Sequence, residues 1–130
     1  MKYNISIDKR KIIVTAQIKG INDYMDCKLI LDTGASKSII DDGAAIRLGF
    51  DLKRLTKDRL MTVNGGINSK ILKLPKLNLF GKEFVNFEVS VLNIPPQILY
   101  FAHGLIGMDF LLQFKNMKLN FDEKIIETTY

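Results

Sequence analysis

The sequence predicts an all-β chain, a small closed β-barrel with one or two short helices. Three observations carry this. Apolar and β-branched runs are short, and Gly, Asn, Asp or Pro stands at nearly every break between them. Alternation with period two recurs, as at Met25, Cys27, Leu29 and Leu31, which places one face of a strand on a core. Only Asp41–Gly49 and Met108–Phe114 read as helix, and both are too brief to cover a parallel sheet. Short strands with frequent turns favour closure.

The elements follow in order. Ile12–Ile18 is a β-branched strand, turned by Gly20-Ile21-Asn22-Asp23 into a second strand, Tyr24–Leu31. A Ser38-Ile39-Ile40 strand leads into the helix Asp41–Gly49, with acidic residues at its start and a glycine suited to its stop. Leu60–Val63 and Ile67–Leu72 flank Asn64-Gly65-Gly66, a hairpin signal because those residues tolerate positive φ. Pro75 is expected to weaken the far end of the second strand or to place it on an edge. A further hairpin crosses Phe80-Gly81-Lys82 into Phe84–Leu92, and Pro95-Pro96 breaks the sheet. Leu105-Ile106 is a short apolar strand that passes through Gly107 into the second helix. Met117–Phe121 then turns at Asp122-Glu123-Lys124 and returns through Ile125-Ile126. An apolar strand, a glycine and a short helix thus occur twice, around Leu31–Leu48 and Leu105–Phe114.

At 130 residues, 47% hydrophobic and 25% charged, the chain has the size and composition of one folded domain, and no linker divides residues 1–130. No apolar run reaches the ~20 residues of a membrane span, and the N-terminal residues lack the apolar stretch of a secretion signal. These features, with a single cysteine, point to a cytoplasmic protein without membrane contact. Cys27 cannot form an internal disulfide and His103 cannot build a His-rich metal site, so neither a metal nor another cofactor is expected. A Cys27–His103 nucleophile has no recognisable Cys signature around it, and Cys27 reads as a buried hydrophobe. His103 reads as a surface or loop residue.

Net charge is +5, yet residues 47–82 alone carry nine Lys/Arg against two Asp/Glu. Such a segment can attract anions, and its lysines beside the Asn64 hairpin could favour acidic substrates. Nucleic acid is an unfavoured partner, because from Arg47 to Lys82 only Phe50 and Phe80 could stack on bases.

The sharpest signal is Leu29-Ile30-Leu31-Asp32-Thr33-Gly34-Ala35-Ser36. An ionisable carboxylate ends an apolar strand, where burial is costly unless it is hydrogen-bonded. Gly34 allows a tight turn with its N–H available to a carboxylate oxygen, and Thr33 adds a hydroxyl. Asp and Thr are also ordinary turn residues, so the motif alone is weak.

Its setting makes it strong. The order of apolar strand, Asp-Thr-Gly-Ala-Ser, Ser38-Ile39-Ile40 strand, short helix, glycine-tipped hairpin and Leu105-Ile106-Gly107 before a helix resembles the retropepsin-like aspartic proteases, in a cellular or bacterial rather than viral form. The resemblance runs from about Ile12 to Ile126. It implies an acid-protease barrel and an aspartic endopeptidase without cofactor. Catalysis needs two close carboxylates sharing a proton, and the chain holds one Asp-Thr-Gly, so a homodimer pairing Asp32 with Asp32 is implied. One Asp32 would act as general base on a water, and the other, protonated, would polarise the scissile carbonyl. Thr33 would hydrogen-bond across the two-fold axis and Gly34 would admit the substrate backbone. Ala35, Ser36, Ile106 and the flap residues Asn64, Gly65 and Gly66 would bind a peptide in extended form. Ala35 stands where two-lobed relatives often carry a hydroxyl, which predicts activity nearer neutral pH than in digestive acid proteases.

Two departures stand out. Viral members usually carry an arginine directly after the glycine matching Gly107, where this chain has Met108 and then Asp109. The strands after Phe114 also exceed the compact viral pattern, so a dimer interface built differently from the viral one is expected. A non-catalytic module that keeps the fold for dimerisation or peptide binding is the alternative reading.

Overall fold

A computed structural model describes residues 1–99 and 102–130. Its strands are β1 (Lys2–Asn4), β2 (Ser6–Asp8), β3 (Lys11–Lys19), β4 (Tyr24–Leu31), β5 (Ile39–Asp41), β6 (Thr56–Thr62), β7 (Gly65–Leu79), β8 (Lys82–Leu92), β9 (Gly104–Ile106), β10 (Asn116–Asn120) and β11 (Ile125–Thr129). Helical turns are α1 (Asp42–Arg47), α2 (Pro96–Leu99) and α3 (Met108–Leu111), with a 3-10 turn at Leu52–Arg54.

Closure is achieved by β3. One edge pairs with β4, and the other pairs through Gln17–Lys19 with Lys76–Asn78 of β7. Strands β3, β4, β9, β5, β8 and β7 therefore form a ring, the closed all-β architecture expected from the sequence. Within it the alternation holds: Val14, Ala16 and Ile18 are buried while Thr15 and Gln17 are exposed. Cys27 lies in this core, 0% exposed. Burial pushes its thiol up to about 11, the nearby Arg47 lowers it and Asp26 adds to the rise, so it stays protonated near neutral pH.

Phe110 closes one end of the ring. It is fully buried, with its ring 4.9 Å from Phe84, 5.4 Å from Phe114 and 5.8 Å from Phe87. Aromatic pairs at such spacings add to burial, and truncation leaves a void the rigid strands cannot fill. Phe110→Ala is expected to cost about 3–5 kcal/mol, read as a lower urea midpoint at unchanged m-value.

Several sequence expectations need correction. Pro75 interrupts the pairing within its strand and not at the far end: β7 runs 15 residues, and the β7–β8 ladder skips Pro75 between the Leu74–Phe87 and Lys76–Val85 pairs. Asn86, opposite the gap, takes φ of 55°, and the register is the same on both sides, so one residue of each strand drops out of the ladder where the proline lacks an N–H. After Pro95, the chain forms α2 with Pro96 as its first residue, a position where a missing N–H costs nothing. The N-terminal residues also form strands, β1 and β2.

The termini are joined within one chain. β1 pairs with β11, and β11 with β10, in a separate three-stranded sheet. The Met1 ammonium donates to the Thr128 carbonyl at 3.1 Å, and Thr128 N–H donates to Met1 O at 3.0 Å. Tyr130 donates its hydroxyl to the Phe80 carbonyl.

Candidate active site

The apolar β4 strand delivers Asp32 to the mouth of the ring. Ladder pairing sets β4 parallel to β9, and Asp32 N–H donates to Ile106 O at 2.9 Å, just past the last pair, Leu31–Ile106. The chain then turns: Ala35 N–H donates to Asp32 O at 3.2 Å, and Gly34 N–H donates to Asp32 Oδ1 at 2.9 Å. The carboxylate is half-buried with this fixed backbone donor, while Thr33, Gly34 and Ser36 are exposed beside it.

The turn is clamped from below by the second strand–glycine–helix segment. Met108 N–H donates to Ala35 O at 2.7 Å, and Asp109 N–H donates to Ser36 O at 3.2 Å. Asp109 then takes the load with its side chain. Oδ1 accepts from the Ser38 hydroxyl at 2.7 Å and from Phe110 N–H at 2.8 Å, and Oδ2 accepts from Ser38 N–H at 3.0 Å. Ser38 Oγ in turn accepts from Gly107 N–H at 3.0 Å. Glycine is required at 107, because a Cβ there would lie 2.7 Å from Ala35 O and 2.9 Å from Lys37 O. The two echoed sequence segments thus meet, and an acid–hydroxyl pair supports the loop where Met108 offers no charge.

Across from Asp32 stands the β6–β7 hairpin. Its turn is Val63-Asn64, since Thr62 pairs with Gly65 and Met61 with Gly66. Thr62 Oγ1 donates to Gly65 O at 2.7 Å and accepts from Asn64 N–H at 3.2 Å, and Gly65 takes φ of 106°. Gly65 and Gly66 are therefore strand residues and only Asn64 of the expected trio sits in the turn. A cleft of about 350 Å³ separates the two sides, lined by Asp32, Gly34, Ala35 and Ser36 below and by Met61 and Val63 above. Part of the lining is apolar: Ile39 and Leu60 line the cleft and also pack with Ile30, Ile94, Ala102 and Leu105.

Ile106 does not line this cleft. It is 2% exposed and points into the main core, while Leu105, one residue earlier, joins the cleft-side cluster. Ile39, Leu60 and Lys37 are cleft residues the sequence reading did not single out. A period-two count on β5 could have found Ile39; nothing local marks the others.

Cys27 and His103 serve separate ends. Cys27 Sγ lies 3.8 Å from Met25 O, while His103 Nδ1 accepts from Lys28 N–H at 2.9 Å. His103 N–H donates to Lys28 O, and its carbonyl accepts from Asp41 N–H, so this half-buried residue ties β4 to β5. Burial lowers its pKa, the nearby Arg47 and Lys28 lower it further, and Asp41 opposes them. A depressed base contributes stability that is full above its unfolded value of about 6.5 and is lost as pH falls through the folded value. Unfolding midpoints are therefore expected to drop between pH 7 and pH 5, with a smaller drop in His103→Gln. Among the described residues no group of three His, Cys, Asp or Glu is placed to hold a metal ion. No helix among them is long and apolar enough to cross a membrane.

A closed ring of strands, a carboxylate in an Asp-Thr-Gly turn at its mouth and a hairpin over that carboxylate together define a retropepsin-like aspartic protease fold. Residues 16–113 match the family described as "gag-polyprotein putative aspartyl protease", and the chain belongs to that family. Among solved structures it is similar to a retropepsin-like aspartic protease from Rickettsia conorii, with 26% identity and a TM-score of 0.74. That match covers 100% of this chain and 91% of the other. It is also similar in fold to EIAV protease in complex with the inhibitor HBY-793, with 20% identity, a TM-score of 0.61, and coverage of 81% and 88%. No curated protein matches the chain significantly.

Proposed function

We propose that the chain is an aspartic endopeptidase acting as a homodimer, with Asp32 from each copy forming the catalytic pair. The observation that carries this is one half-buried carboxylate, held by the Gly34 N–H at the floor of a cleft and faced by a hairpin flap. Each chain supplies one such group. Two carboxylates side by side share a proton because both cannot ionise cheaply. The ionised member takes a proton from water as the oxygen attacks the scissile carbonyl. The protonated member hydrogen-bonds the carbonyl oxygen, and proton transfer to the amide nitrogen releases the amine. Thr33, exposed beside Asp32, would hydrogen-bond to its counterpart across the two-fold axis. The substrate lies extended between the Gly34–Ser36 loop and the flap, with aliphatic side chains over Ile39 and Leu60.

The second copy docks without exchange of terminal strands. β1 and β11 are already paired in one chain, and β1, β10 and β11 all lie outside the matched residues 16–113. Pairing Asp32 with Asp32 puts the Asp32 loop and the flap tip at the contact, where Val63 is fully exposed and Met61 is 72% exposed. Such an interface is small, so dimerisation is expected to depend on concentration. Peptide-cleaving activity and native mass, measured across a dilution series, should fall together, with specific activity proportional to protein concentration when monomer dominates. Specific activity that stays constant in a strict monomer would overturn the pairing. Dimers that cleave nothing in a diverse peptide library would favour a peptide-binding module.

Ala35 gives the pair no hydroxyl donor, and its N–H is taken by Asp32 O. The pH–rate profile is therefore expected to peak nearer neutrality than in digestive acid proteases. A peak below about pH 3 would contradict this.

A further inference from the structure

A second cavity, of about 460 Å³, lies at the base of the flap and shares no lining residue with the cleft. Its volume falls within the range of about 300–1,000 Å³ typical of small-molecule sites. One wall belongs to the body of the chain, from Asp42 of α1 and Leu52 of the 3-10 turn. The opposite wall belongs to the flap strands, including Ser69 and Lys70 of β7. Val91 and Leu92 add apolar surface.

Its polar groups are incompletely used. Lys70 Nζ donates to Leu52 O at 2.7 Å, which leaves two of its three protons for another acceptor. The partly buried Asp42 carboxylate forms neither an ion pair nor a hydrogen bond with the described residues. Burial first, and then neighbouring Asp41, raise its pKa, and Lys70 opposes them, so the two opposite charges sense each other without touching. Ser69 is 6% exposed, and its hydroxyl has no partner among the described residues. An unpaired carboxylate and an underused ammonium lining one cavity match a ligand bearing both charges. The rim charges Lys57 and Asp58 cancel, so the lining favours neither a net cation nor a net anion.

We propose that this cavity is a second binding site, for a short peptide with free termini. Its ammonium lies against Asp42, its carboxylate against Lys70, and an aliphatic side chain against Leu52, Val91 and Leu92. Because the flap strands form one wall and the body the other, an occupant braces the flap against the body. The site does not use Asp32, so it stands or falls apart from the catalytic reading.

The test uses the full chain carrying Asp32→Asn, so that no peptide is cleaved, and follows backbone amide resonances by NMR. The probes are alanyl-leucine with free termini, its N-acetylated form and its C-amidated form. Free dipeptide is expected to shift Leu52, Ser69 and Val91 saturably in the millimolar range, and each blocked form to bind at least about tenfold more weakly. Asp42→Asn should remove the penalty of acetylation, and Lys70→Met that of amidation. Equal binding of free and blocked peptides, shifts confined to the cleft residues Gly34, Met61 and Val63, or no saturable shift would each overturn the proposal. The blocked peptides decide the matter even if a variant fails to fold.

Discussion

Asp32→Asn is expected to lower peptide hydrolysis by at least about a thousandfold while leaving the fold intact. Asparagine keeps the size of the side chain, and its oxygen can still accept from Gly34 N–H, the 2.9 Å bond that shapes the turn. What it loses is the ability to hold or yield a proton. General acid–base groups contribute about 10²–10⁴-fold each, and a homodimer of the variant loses both members of its pair at once. The same variant also tests the pairing. When wild-type and variant chains are mixed at equal amounts and allowed to exchange, random association leaves about one quarter of dimers with two intact carboxylates. Activity per total chain should then fall to about one quarter of an all-wild-type sample at the same total concentration. Independent monomers would retain one half. Thermal unfolding of variant and wild type should coincide within about 1 kcal/mol, which separates lost chemistry from lost structure.

The Asp32 turn was legible because everything that makes it is local: an apolar strand, a carboxylate and a glycine two residues on. The ring followed from alternation, since Ala16, Ile18, Cys27 and Leu29 turn inward at the positions a period of two demands. Register was not legible. Asn64-Gly65-Gly66 looks like a turn centre, yet the Thr62 hydroxyl bonds on both sides of Val63-Asn64 move the turn back by about a residue. Ile106 and Leu105 are both apolar, and only the parallel pairing of Leu31 with Ile106 decides which one faces the core. A one-residue slip reverses that choice, and the pairing partner is 75 residues away in sequence. β1 escaped for a similar reason: three residues make a strand only because β11 stands beside them.

The pairing of Ser38 with Asp109 was the largest omission, for the two are 71 residues apart and nothing local ties one to the other. Asp109→Ala is expected to destabilise the chain by about 3 kcal/mol or more and to reduce activity further than stability alone explains. The carboxylate accepts three hydrogen bonds, and its loss strands the buried Ser38 N–H and hydroxyl, while Phe110 N–H keeps the Gly107 carbonyl at 3.2 Å. Ser38 Oγ also receives Gly107 N–H, so releasing the serine loosens the glycine turn that carries Ala35 O. Through that chain of bonds Asp109 fixes the height of the Asp32 loop. Asp109→Asn should recover only part of the loss, because its amide oxygen can still take the Ser38 hydroxyl while its NH₂ would confront Ser38 N–H. Denaturant titration gives the stability. Cleavage measured well below the unfolding transition gives the activity, where a falling kcat at nearly constant KM marks a displaced catalytic pair rather than a lost binding contact. Unchanged kcat in folded Asp109→Ala would show that the loop holds its geometry without this clamp.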